Sequence, residues 1–165
     1  MSSKRKVLAA LILVLGAVII QTGVLARFRI FGVAPDLVLL AVILLAHIVQ
    51  PMAALLIGFT GGLAFDLTGN TALGLRALVC TVVAYLAIRT RPRTEVSYPA
   101  LGVAVVALSL GGVLLLLLVS TLFGQSALSG GGLFRRVSML PVYNLALAAA
   151  LFPFLGRWLR EEPRH

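Results

Sequence analysis

The sequence predicts an all-α membrane protein in which one domain contains six transmembrane helices. Hydrophobic residues make up 61% of its 165 residues and charged residues only 12%, whereas soluble domains contain about 25% charged residues. The mean hydropathy is +1.10. The apolar residues fall into six runs, each bounded by proline, glycine or charged residues. A chain of this composition cannot cover its apolar surface in water, so the pattern indicates a polytopic membrane protein.

The first two predicted spans cover residues 7–26 and 37–49. The first is a run of about 20 apolar residues that follows a short basic segment, and this length is enough to cross a bilayer. The second run begins directly after Pro35 and Asp36. Proline suits the first turn of a helix, and a carboxylate is favourable beside the positive end of the helix dipole. Both features predict a helix start at this point.

The third and fourth predicted spans cover residues 52–67 and 71–88, with a glycine-rich break between them. The second and third runs are short, so an alternative is that they form a re-entrant hairpin that returns to its own side. The fifth and sixth spans cover residues 98–119 and 137–159, separated by a loop rich in glycine and serine. Six spans leave almost no chain for a soluble domain.

Cationic clusters predict the orientation of these spans, because lysine and arginine collect at the cytoplasmic ends of transmembrane helices. Three clusters stand out: Lys4, Arg5 and Lys6; Arg89, Arg91 and Arg93; Arg157, Arg160 and Arg164. The interval between the first two fits four spans, and the interval between the last two fits two. Both numbers are even, so all three clusters fall on one side, and both termini are predicted to be cytoplasmic. The net charge of +9 therefore indicates topology and contact with lipid headgroups rather than nucleic-acid binding.

The stretch from Gly58 to Leu86 contains two charges within apolar sequence, Asp66 and Arg76. An unpaired charge is costly in a bilayer, and a pair across the helical hairpin is the cheapest way to keep both. With the fourth helix starting near Asn70, Arg76 would lie about 9 Å further along it. The pair either fixes the hairpin only or also forms a contact site for a partner or ligand.

Two further patterns concern helix packing. Gly58 and Gly62 form a G-x-x-x-G motif, which permits close approach of two helix backbones, within the protein or between subunits. Asn144 lies in the sixth span, where a buried amide can bond across helices. Internal packing is the favoured interpretation for both patterns.

The sequence does not favour an enzyme. It contains two histidines and one cysteine, and it lacks G-x-S-x-G, H-E-x-x-H and paired carboxylates. His47 has no second histidine or acid nearby in the sequence, and Cys80 has no metal-ligand spacing around it. No P-loop is present. We therefore expect no catalytic residue, no metal and no cofactor.

The order of several residues resembles the bacterial rod-shape-determining protein MreD family. The resemblance rests on Pro35-Asp36-Leu37 at the start of a span, on the segment from Gly58 to Gly74, and on Leu75-Arg76-Ala77-Leu78 leading to Ala84-Tyr85-Leu86. The segment reads G-x-x-G-G-L-x-x-D-L-x-G-x-x-x-L-G and includes Gly69 and Gly74. Asn144 followed by Pro153 is similar to the last span of that family.

The resemblance implies a non-enzymatic subunit of the cell-elongation machinery in the bacterial cytoplasmic membrane. Members associate with the membrane protein MreC and, through it, with the MreB filament and with RodA and its partner transpeptidase. The residues that the resemblance and the patterns mark as a partner-binding or structural motif are Asp66, Arg76, Gly58, Gly62, Gly69, Gly74, Pro35, Asp36 and Asn144. The family fold is thought to be similar to the substrate-binding subunits of energy-coupling-factor vitamin transporters, and this suggests the alternative of a small-molecule capture subunit.

Overall fold

The described residues of this computed structural model are 3–25, 35–68, 72–91, 98–124 and 133–159. They form helices and contain no strand, as predicted. The helices are α1, Ser3–Ile20, continued by a π-helical turn, Gln21–Leu25; α2, Leu37–Ala46; α3, Pro51–Thr68; α4, Leu75–Arg89; α5, Tyr98–Leu122; and α6, Leu133–Leu159. Residues 26–34, 69–71, 92–97, 125–132 and those from 160 onward lie outside the described residues, and they include Gly69 and parts of the predicted loops.

Three helical segments are long and apolar enough to cross a membrane within the described part of the chain. They are Arg5–Leu25, Pro51–Thr68 and Pro99–Leu122, while Leu37–Ala46 and Val137–Leu151 are shorter apolar helices. Large apolar side chains also cover the outside of the bundle, for example Ile19 and Val103, each 70% exposed. Such a surface is unfavourable in water and is suited to lipid. The protein is therefore a membrane protein.

The short helix α2 lies at the centre of the bundle. It packs against each of the other described helices, and its apolar residues are buried nearly all round. A helix that is apolar on every face belongs in such an interior. At ten residues, α2 is about 15 Å long, or about half the thickness of the hydrocarbon core. Because both of its ends lie inside the bundle, the free backbone groups there need partners from the protein.

The helices α3 and α4 form a closely packed hairpin through the two glycines of the G-x-x-x-G motif. A Cβ added at Gly62 would lie 2.5 Å from the Cα of Ala77, and one added at Gly58 would lie 2.9 Å from the carbonyl oxygen of Cys80. Both glycines therefore contact the backbone of α4 directly. This contact within the protein brings the end of α3, with Asp66, against the start of α4.

Candidate functional site

Asp36 caps the start of the central helix α2. Its Oδ1 accepts the backbone N–H of Leu39 at 3.0 Å, and the residue is only 6% exposed. The carboxylate therefore lies beside the positive end of the helix dipole, where the sequence places it. The helix begins at Leu37, so Pro35 precedes the cap. Asp36 takes the non-helical capping position, so the proline lies outside the helix.

Asp66 performs the corresponding role for α4 from the end of α3. Its Oδ2 accepts the backbone N–H groups of Gly74, Arg76 and Ala77 at 3.0, 3.0 and 3.2 Å. These are donors at the beginning of α4 that have no partner within the helix. Gly74, at the N-cap position, has a φ of +90°, a left-handed value that favours glycine. Asp66 is 2% exposed, so its charge is held inside the bundle by backbone donors.

The side chain of Arg76 pairs with Asp36 and not with Asp66. Its Nη2 donates to Oδ2 of Asp36 in an ion pair, and its guanidinium carbon lies 4.0 Å from the centre of the Phe65 ring. The predicted Asp66–Arg76 ion pair is therefore wrong in its partner. The reason is that α4 begins at Leu75 rather than near Asn70. Arg76 is consequently in the first turn, where its backbone N–H, and not its side chain, faces Asp66.

Two amides connect this ion pair to the remaining helices. Gln21, in the π-helical turn after α1, donates to Asp36 Oδ1 at 3.4 Å and accepts the N–H of Val38 at 2.9 Å. Asn144 of α6 accepts the N–H of Asp36 at 3.2 Å and donates to Ser109 Oγ of α5 at 3.0 Å. Asn144 thus bonds across helices, as the sequence suggests. Asn144 and Ser109 are fully buried.

Together these side chains form what we call the six-helix polar network, because α1 with its π-helical turn, and each of α2 to α6, contributes to it. Its members are Gln21, Asp36, Phe65, Asp66, Arg76, Ser109 and Asn144. Its charges are close to balanced. Two carboxylates face one guanidinium and the N-termini of α2 and α4, each of which is equivalent to roughly +0.5 elementary charge. This balance allows two acids to remain in an apolar bundle.

A second polar contact closes the opposite end of α2. The Nη2 of Arg91, which follows α4, donates to the carbonyl oxygens of Ala46 and of Val49, the latter at 2.8 Å. His47, at the C-cap, bonds the carbonyl of Ile43 through Nδ1 at 2.8 Å. Arg76 and Arg91 therefore hold the two ends of α2, so α2 and α4 run parallel.

Sequence reasoning singled out Asp36, Asp66, Arg76, Gly74 and Asn144, and the structure brings these together. It missed Gln21, Ser109 and Phe65. It also missed that Arg91 donates to carbonyl oxygens at the end of α2. Gln21 and Ser109 carry a visible signal, because each is a polar residue inside an apolar run. Their partners are distant in sequence and could not be read from spacing. Gly58 and Gly62 lie in the α3–α4 hairpin rather than in the network.

The network is suited to holding helices together. Both carboxylates are occupied by backbone donors, by Arg76 or by Gln21. Among the described residues, no group of three or more His, Cys, Asp or Glu could hold a metal ion. The fold and the network define a helical membrane protein in which buried polar side chains bond its helices to one another.

Comparison with known proteins identifies the family. The family described as rod shape-determining protein MreD matches residues 1–161 of this chain. The chain therefore belongs to the MreD family, and it is a component of the machinery that determines rod shape. No curated protein and no solved structure matches the chain.

Proposed function

We propose that this protein is a non-enzymatic scaffold subunit of the cell-elongation machinery, and that it supports MreC and peptidoglycan synthesis along the side wall. The family match gives the machinery. The observation that carries the scaffold role is the six-helix polar network, in which buried charges are used to fix helix positions. A rigid bundle with a defined outer surface is what a partner's transmembrane segment needs for docking. The family match does not support the small-molecule capture alternative.

The proposal includes a location and an orientation. The protein lies in the bacterial cytoplasmic membrane with both termini in the cytoplasm, in accordance with the cationic clusters at Lys4–Lys6 and Arg89–Arg93. Contact with the MreB filament and with RodA and its transpeptidase is indirect, through the MreC-like partner. The likeness of the fold to the energy-coupling-factor substrate-binding subunits is part of the same proposal, and it rests on the family resemblance.

Co-purification tests the partner. The tagged chain is extracted from membranes together with an MreC-like protein, and the partner is quantified by immunoblot for the wild type, Arg76→Ala, Asp66→Ala and the exposed control Arg5→Ala. We expect the two network variants to retain less than about half of the partner, because each leaves buried groups uncompensated, and Arg5→Ala to retain all of it. Size-exclusion profiles confirm that each variant is folded.

If no MreC-like partner is recovered with the wild-type chain, the proposal is contradicted. Recovery at the wild-type level with both folded network variants shows instead that the network is not needed for docking. Cell shape supplies an independent readout, since loss of the protein is expected to turn rod-shaped cells round. Rods of normal width without the protein would contradict its role in elongation.

A further inference from the structure

One face of α4 is turned away from the bundle and ends in a charge. Leu78, Tyr85 and Leu86 are 48%, 47% and 42% exposed, and Arg89 is exposed one turn after Tyr85. Along the chain, these residues follow one another in steps of seven, one and three positions, from 78 to 85, 86 and 89, so all four residues share one side of the helix. The opposite side of α4 carries its buried residues. The exposed stripe is apolar along most of its length and becomes polar only at Tyr85 and Arg89.

The guanidinium of Arg89 is held in place on this stripe. Its Nε donates to the hydroxyl oxygen of Tyr85 at 3.1 Å, and its central carbon lies 5.7 Å from the centre of the Tyr85 ring. This bond uses one of the five N–H donors of an arginine. Within the described residues it leaves the two Nη groups, and the hydroxyl proton of Tyr85, for an acceptor outside the bundle.

The neighbouring Arg91 shows that the two cations have different tasks. Arg91 turns inward and donates to the carbonyl of Val49. Near the end of α4, the hydroxyl of Thr90 donates to the carbonyl oxygens of Leu86 at 3.0 Å and of Ala87 at 3.3 Å. Arg89 is therefore required neither by α2 nor by the end of its own helix. Its positive charge faces outward beside an aromatic ring, an arrangement typical of the interface between hydrocarbon and headgroups.

We propose that Arg89 and Tyr85 form a binding site for the headgroup of an anionic phospholipid, whose acyl chains lie along Leu78 and Leu86. The phosphate oxygens accept from the Nη groups of Arg89 and from the hydroxyl of Tyr85. The dimensions agree with this occupant. Leu78 lies eleven positions before Arg89, which is about 16 Å along a helix, and one leaflet of hydrocarbon is about 15 Å thick. This site is independent of the partner proteins proposed above.

Native mass spectrometry of the purified full-length chain in detergent tests the site. The protein is titrated with dioleoyl phosphatidylglycerol and, separately, with zwitterionic dioleoyl phosphatidylethanolamine. We expect the first phosphatidylglycerol to bind more tightly than the first phosphatidylethanolamine. Arg89→Ala is expected to weaken phosphatidylglycerol binding about fivefold, as for one cation at a membrane surface. Tyr85→Phe keeps the ring and loses the hydroxyl, so we expect a loss of about twofold.

Arg5→Ala is the matched control, because Arg5 is an exposed cation at the start of α1, at the same end of the bundle as Arg89. It is expected to change the affinity less than twofold. Equal affinities of the wild type and Arg89→Ala overturn the proposal. So does an equal loss with Arg5→Ala, which would mean that any surface cation serves. Equal affinities for the two lipids overturn the preference for an anionic headgroup.

Discussion

Asp66 and Arg76 are bonded to each other through the backbone, because the carboxylate of Asp66 accepts the main-chain N–H of Arg76 at 3.0 Å. The side chain of the same arginine pairs with Asp36 at the start of α2. One residue thus joins two buried acids, one through its amide and one through its guanidinium. The start of α4 is thereby fixed to the end of α3 and to the start of α2.

Removing the charge of Asp36 should destabilise the protein by leaving Arg76 without its counter-ion. In Asp36→Asn the side-chain oxygen can still cap α2, so the variant isolates the ion pair. The side chain of Arg76 is only 16% exposed, and we expect a loss of about 3 kcal/mol in the free energy of unfolding. Titration with sodium dodecyl sulfate in mixed micelles measures this free energy.

The double variant Asp36→Asn with Arg76→Met should be less destabilised than the sum of the two single variants, by about 1–3 kcal/mol, because it leaves no uncompensated charge. Additive losses would show that the two side chains do not stabilise each other. Arg5→Ala, which removes an exposed cation, is the control and should change the free energy by less than about 0.5 kcal/mol.

Replacing Asp66 should loosen the start of α4 in two graded steps. Asp66→Ala removes the acceptor for three backbone N–H groups, and we expect it to cost about 2–3 kcal/mol. Asp66→Asn keeps one oxygen that can accept these N–H groups, but its NH₂ group is itself a donor and cannot accept them. We therefore expect the loss of stability in Asp66→Asn to be about half of that in Asp66→Ala. Hydrogen exchange of the Arg76 and Ala77 amides reports the local effect and should accelerate in the same order.

Thr68→Ala is the matched control for this series, because Thr68 is exposed near the end of the same helix and bonds only the carbonyl of Phe65 among the described residues. In Thr68→Ala, the Arg76 and Ala77 amides of α4 should exchange at the wild-type rate. If Asp66→Ala exchanges no faster than Thr68→Ala at Arg76 and Ala77, then the carboxylate does not stabilise the start of α4.

The parts of the fold that depend on local pattern could be predicted from the sequence. Long apolar runs predict the helices, since a bilayer requires them, and an acid after Pro35 predicts the cap of α2. The identity of the important charges was also predictable, because Asp66 and Arg76 interrupt apolar sequence. What failed was their pairing. A shift in the start of α4, caused by the left-handed Gly74, moved Arg76 into the first turn and changed its partner.

The partners of Gln21 and Asn144 could not be predicted, for a different reason. Each amide is visible as a polar residue in an apolar run, but its bond depends on how helices distant in sequence pack. The π-helical turn that contains Gln21 has no sequence signal of its own comparable to a proline or glycine cap. Tertiary packing therefore decides these contacts, and the sequence shows only that some partner is needed.

Alanine at Gly62 should disrupt the α3–α4 hairpin more than alanine at any other glycine tested. The added Cβ would lie 2.5 Å from Ala77 Cα and 2.6 Å from the carbonyl oxygen of Arg76, which are backbone atoms and cannot rotate away. We expect a loss of about 2 kcal/mol or more, and a smaller loss for Gly58→Ala, whose nearest atom is at 2.9 Å.

Gly16→Ala is the control for the glycine series, because a Cβ at Gly16 has no neighbour within 4 Å. This variant should be neutral or slightly more stable, since alanine favours the helix by up to about 1 kcal/mol over glycine. Thermal unfolding in detergent ranks the three variants. A Gly62→Ala protein as stable as Gly16→Ala would contradict the close packing of α3 on α4.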